Sequence, residues 1–171
     1  MMEGWGHHYH GDFTSAKECA DKSIPLLVEY RLVIGLAPAY MLSGAASYAL
    51  GDVAEARRSL EQAIKAAREN NQKHYEGQAR LFLGRLTIGE DASQVTLAEK
   101  TILEGLKLVE DLQIKPLQAH GHLLLGETYA IAGQKDRALS SLNKARQMCQ
   151  EMGMDYYLAR AEKALEKLKA Q

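Results

Sequence analysis

The sequence predicts an all-α fold: a right-handed solenoid of helical hairpins, closed at its C-terminal end by a capping helix. Three observations predict it. A glycine recurs in similar surroundings at Gly4, Gly44, Gly84 and Gly126, at steps of 40, 40 and 42 residues. Each is followed by a turn glycine, Gly11, Gly51, Gly89 or Gly133. After each turn, small and apolar residues recur at steps of four and three: Ala16, Ala20, Ser23; Ala56, Leu60, Ala63; Ala98, Ile102, Gly105; and Ala138, Leu142, Ala145. Steps of four and three place residues on one face of a helix. Periodicity of about 40 residues marks stacked hairpins that bury one another's apolar faces.

The elements follow in order. The first copy, 1–31, opens in the middle of a first helix (1–10) and continues into a second helix over 12–31, where Pro25 should introduce a kink. The second copy, 34–70, has helices at 34–50 and 52–70, the latter opened by a capping box of Asp52 and Glu55. The third, 73–112, has helices at 73–88 and 93–112, joined by "GEDASQ", a link two residues longer than in the other copies. The fourth, 116–152, starts with Pro116 at a first-turn position and has helices at 116–132 and 134–152. A last helix covers 155–170. In it the register of the Leu-Gly word falls on Leu165-Glu166, and Glu162, Glu166 and Lys169 form a polar face that suits a solvated cap. All of this reads as one domain, 1–171.

The fourth copy shows the logic best. In "LLLGETYAIAGQKDRALSSLNKA", residues 123–145, Gly126 and Ala138 are the small residues that let two antiparallel helices approach. Leu125 and Leu142 fill the space above and below. Gly133 ends the first helix, where a left-handed residue costs least.

This pattern resembles the tetratricopeptide repeat. Leu125, Gly126, Tyr129, Ala138, Leu142 and Ala145 match its consensus. The second copy starts Ser43-Gly44 and sets Tyr48 one place late, and no copy has the consensus terminal proline. The resemblance implies a scaffold that binds a protein or peptide partner. A more local resemblance joins residues 123–145 and "EMGMDYYLARAEKAL", 151–165, to the closing repeats of bacterial signalling proteins. Those proteins link a class III nucleotide cyclase domain and an ATPase domain to a C-terminal tetratricopeptide array. It implies a regulatory tail of a larger protein.

Composition narrows the classes. With a formal charge of −1 and no long basic run, nothing favours nucleic acid or a polybasic membrane surface as partner. No apolar stretch is long enough to span a bilayer, and "MMEGWGHHYHGDF" lacks the apolar core of a signal peptide. Cys19 and Cys149, with no secretory signal, are expected reduced and the chain cytoplasmic. The half-copy at the N-terminus raises two explanations: a piece of a longer chain, or an edge that a second copy covers through Trp5 and Tyr9, giving self-association.

The words of catalysis are missing: no Gly-rich phosphate loop, nucleophile elbow or His-Glu-x-x-His. A non-enzymatic chain without a cofactor or metal is the expectation. The alternative is a metal protein or enzyme using His7, His8 and His10 of "HHYH". There His7 and His10 share a helix face and Asp12 could assist.

In solenoids of this kind the first helices line a concave groove. The stripes there read Ile34, Pro38, Met41, Ala45, Tyr48; His74, Gln78, Leu81, Arg85, Ile88; and Pro116, His120, Leu123, Glu127, Ala130. Trp5, His8 and Tyr9 extend them. Polar residues within apolar stripes suit a surface that orients a bound peptide or helix. The expected contacts are Trp5, Tyr9, Met41, Tyr48, His74, Gln78, Leu81, Arg85, His120, Leu123 and Glu127. Tetratricopeptide domains that clamp the C-terminal carboxylates of chaperones carry Lys and Asn where Met41 and Ala45 stand here. Such a clamp is therefore not expected.

Overall fold

The computed structural model describes residues 2–170, apart from the side chains of Met2 and Tyr9. Among these residues there are nine α-helices and no strand. In chain order they are α1 (Met2–Tyr9), α2 (Phe13–Glu29), α3 (Leu36–Ala49), α4 (Val53–Glu69), α5 (Lys73–Glu90), α6 (Val95–Asp111), α7 (Lys115–Ile131), α8 (Lys135–Met152) and α9 (Asp155–Ala170). The chain divides into two compact units, Met1–Ala79 and Arg80–Gln171. The division falls inside α5, within the third copy, where the repeat pattern gives no sign of a boundary.

In the first unit α1 packs on α2, α2 on α3 and α3 on α4. In the second, α6 packs on α7, α7 on α8 and α8 on α9. The repeated glycines mark the closest approach within each hairpin. A Cβ on Gly126 would stand 2.6 Å from Leu142 Cγ and 3.0 Å from the Leu142 backbone nitrogen. On Gly84 it would meet Ile102 Cγ1 at 2.5 Å and the Ala98 carbonyl oxygen at 2.7 Å. Gly4 stands in the same relation to Cys19 and Leu42, and Gly44 to Leu60. Opposite them Ala16, Ala20, Ala56, Ala63, Ala98, Ala138 and Ala145 are fully buried. Burial of the Leu81, Ile102, Leu123, Leu124 and Leu142 side chains makes one continuous core in the second unit. Each such side chain contributes about 1.5–3 kcal/mol.

The hairpin turns confirm three of the four expected glycines. Gly11, Gly51 and Gly133 have φ of 81°, 84° and 71°. The amide three residues beyond the helix closes each turn: Asp12 N to His7 O, 2.9 Å; Asp52 N to Ser47 O, 2.9 Å; Gln134 N to Tyr129 O, 2.8 Å. Gly89 departs from expectation. It lies inside α5, which runs on to Glu90. In the longer link Asp91 replaces the glycine as the stop, its carboxylate accepting from the Ser93 amide at 2.9 Å ahead of a 3-10 turn, Ala92–Gln94.

A second periodicity appears only in the backbone. Arg31, Asn71, Gln113 and Gly153, at steps of 40, 42 and 40, all take left-handed conformations between one hairpin and the next. Only one is glycine, so their side chains conceal the pattern. The capping box is half formed. Asp52 accepts from the Glu55 amide at 3.0 Å, while the Glu55 carboxylate turns to Arg58 and Ser59. Asp12 caps α2 in the same way, accepting from the Ser15 amide at 3.1 Å. Helix α2 continues through Pro25.

Candidate functional site

The repeat sets the residue that follows each anchor glycine about 100° around the helix from the hairpin contact. In α5 and α7 those residues are Arg85 and Glu127. Arg160, in α9, approaches the same carboxylate. Its Nε donates to Glu127 Oε1 at 2.7 Å and its Nη2 to Oε2 at 2.7 Å. Arg85 Nε donates to Oε2 at 3.1 Å. One carboxylate therefore joins two guanidiniums from α5 and α9. Burial raises the pKa of Glu127, but the hydrogen bonds and charges of Arg160 and then Arg85 outweigh it and hold the carboxyl below its ordinary value.

These three residues form one wall of a cleft of about 560 Å³ within the second unit. Ala130, Ile131, Ala164 and Leu168 supply apolar lining, and Lys163 and Lys167 extend the basic side along α9. Arg160, Lys163, Ala164, Lys167 and Leu168 follow steps of three, one, three and one, a single helical stripe. Four cations thus face one carboxylate, and both arginines already hold that carboxylate. Neither Lys163 nor Lys167 has an ion-pair partner among the described residues.

The expected groove residues separate. Arg85 and Glu127 are brought together in the cleft. Leu81 and Leu123 are fully buried and belong to the core of the second unit, so they face neighbouring helices and not a ligand. Leu123→Ala would report packing and not binding. His120 is also buried, its ring 5.3 Å from that of Phe82 and 4.7 Å from that of Tyr157. Burial, then the charge of Arg160, lower its pKa to about 4 against the opposing pull of Glu127, so it is neutral near pH 7. Met41 is buried too. The physical reason is common to all four. A first helix between two neighbours is enclosed around most of its circumference, so a three-four stripe that looks like a surface can be core.

Tyr48 is exposed, and His74 and Gln78 are half-buried, His74 stacking on Tyr75 at 3.9 Å. Trp5 packs against Ala16, Ala20, Leu42 and Ala46. The side chain of Tyr9 lies outside the described residues. Sequence reasoning missed Arg160, Lys163 and Lys167, having read α9 from its opposite, polar face. The basic stripe of α9 was the available signal.

The histidines of the N-terminal cluster point apart. His7 Nδ1 lies 3.1 Å from the Asp12 carboxylate, whereas His8 packs edge-on against Trp5 and Phe13. Among the described residues no group of three His, Cys, Asp or Glu side chains converges as a metal would require. Among them, too, no helix is long and apolar enough to cross a membrane.

The architecture is that of a TPR-like helical repeat protein. No protein-family model matches the chain, and no curated protein matches it. Among solved structures it is similar to a kinesin-light-chain-like protein of Podosopora anserina with nearly identical TPR-like repeats. The likeness has a TM-score of 0.63 at 16% identity, covering 99% of this chain and 91% of that one. A second structure, of a point variant of that protein, gives 0.64, with the same identity and coverage.

Proposed function

We propose that this chain is a protein-interaction module that takes an acidic, partly apolar segment of a partner in the cleft between α5, α7 and α9. One observation carries the reading. Lys163 and Lys167 stand without a carboxylate beside an apolar lining, while the one acid lining the cleft among the described residues is occupied by Arg85 and Arg160. A segment with carboxylates a turn apart would supply the missing partners, and its apolar residues would cover Ile131 and Ala164. The arginine clamp on Glu127 fixes the cleft wall before a ligand arrives, which limits the ordering cost of binding. The resemblance of residues 123–145 and 151–165 to the closing repeats of bacterial cyclase-type signalling proteins supports a scaffold or sensor role within such a protein, in the cytoplasm.

The test uses a fluorescein-labelled peptide of alternating Glu and Leu blocks, followed by fluorescence anisotropy, with the Lys-for-Glu peptide as comparison. The acidic peptide should bind and the basic one should not. Lys163→Glu with Lys167→Glu should weaken binding by roughly tenfold or more. Glu61→Ala, on an exposed position of α4, should leave it unchanged. Equal binding of the two peptides, or equal binding by the lysine variant, would refute the assignment.

A further inference from the structure

The apolar surface that the fold leaves open lies elsewhere, at the link between α2 and α3 in the first unit. Within nine consecutive residues Leu26, Val28, Tyr30, Leu32, Val33 and Ile34 are all exposed, Ile34 at 72% and Tyr30 at 66%. The turn itself does not require this. Counted from the left-handed residue of each inter-hairpin turn, Val28 stands where the other copies have Arg68, Glu110 and Gln150. Val33 stands where they have Lys73, Lys115 and Asp155. Three copies make the same backbone turn with charged or polar residues at both positions, and only the first is apolar at both. The segment is anchored to the unit by Gln72, whose side-chain amide donates to the Ile34 carbonyl at 3.0 Å.

The geometry points to a second copy of this chain as the occupant, through a two-fold interface centred on residues 26–34. Two features select it. Leu26 and Tyr30, one turn apart, together with Leu32, Val33 and Ile34 expose on the order of 550 Å², so two copies would bury roughly 1,100 Å², above the roughly 1,000 Å² that a specific interface needs. On one copy that is the upper end of the largest apolar patch on a typical monomer, roughly 300–600 Å², and such a patch is often functional. The charges within the patch are Glu29 and Arg31, exposed and on either side of Tyr30, and neither has an ion-pair partner among the described residues. A surface carrying one charge of each sign is complementary to itself. In an isologous pair Glu29 of one copy meets Arg31 of the other, twice by symmetry. An anionic membrane would meet no net charge here.

The experiment is sedimentation velocity on the full chain over a concentration series, with far-UV circular dichroism on every variant. The parent should be dimeric. Tyr30→Glu with Ile34→Glu should be monomeric and equally helical. Glu29→Arg sets like charges against one another at both symmetric contacts and should weaken dimerisation by roughly tenfold or more. Adding Arg31→Glu to it restores self-complementarity and should recover most of the loss. The inference is overturned by a monomeric parent, by a dimer that survives the double glutamate substitution, or by a charge-swapped double variant no tighter than Glu29→Arg alone.

Discussion

Replacing Gly84 by alanine sets two effects of known sign against each other. Gly84 lies inside α5, and Gly to Ala in a helix interior gains about 1 kcal/mol from backbone entropy alone. Against this, the new methyl would stand 2.7 Å from the Ala98 carbonyl oxygen and 2.5 Å from Ile102 Cγ1. An ordinary C···O contact is about 3.3–3.6 Å, so α5 and α6 must part by more than half an ångström. The carbonyl belongs to the α6 backbone and cannot rotate away. Overpacking of this kind costs about 1–3 kcal/mol, and a rigid obstacle places it near the upper end. The expected net loss is about 2 kcal/mol. Two further alanine substitutions calibrate it. At Gly44 the carbonyl of Ala56 is 3.2 Å away and the tighter contact, 2.9 Å, is with the flexible Leu60 side chain. The two effects should nearly cancel there. At Gly6 nothing lies within 4 Å, so the variant should gain up to about 1 kcal/mol. Urea unfolding followed by circular dichroism at 222 nm gives the order Gly6→Ala, Gly44→Ala, Gly84→Ala from most to least stable. If Gly84→Ala is at least as stable as the parent, helix propensity alone governs the site and the close approach of α5 and α6 is refuted.

Two other outcomes are expected. His120 and His122 are held neutral by burial, each with a pKa lowered from 6.5 to about 4. Between those values the unfolded chain binds protons that the folded chain does not, so stability falls as pH drops through this range. At completion the loss is roughly 3 kcal/mol for His120 and less for the half-buried His122, where solvent screens the charge; urea midpoints that stay level from pH 7 to pH 4 would contradict it. Asp52→Ala removes the acceptor of the Glu55 amide at the start of α4 and should cost about 1 kcal/mol, with Asp52→Asn retaining most of the stability in thermal melts.

The sequence by itself determined the hairpins. A glycine at steps of 40, 40 and 42 residues, answered by a small residue on the next helix, follows from a backbone approach that only small residues permit. Steps of four and three can be read without coordinates. So can Asp52 as a cap and Gly11, Gly51 and Gly133 as turns, because each is a local requirement met by a residue type suited to it. What tertiary structure decided is which side of each helix stays open. Leu81, Leu123 and His120 share a spacing with Arg85 and Glu127, yet the first three are enclosed by neighbouring helices and the last two reach a cleft. The cleft also needs Arg160, which lies 33 residues from Glu127 in the chain and belongs to a helix whose sequence reads as a solvated cap. Left-handed turns at Arg31 and Gln113 were hidden for the converse reason. Packing on both sides fixes Arg31 and Gln113 in a conformation that their side chains do not favour, so residue type leaves a trace only at Asn71 and Gly153.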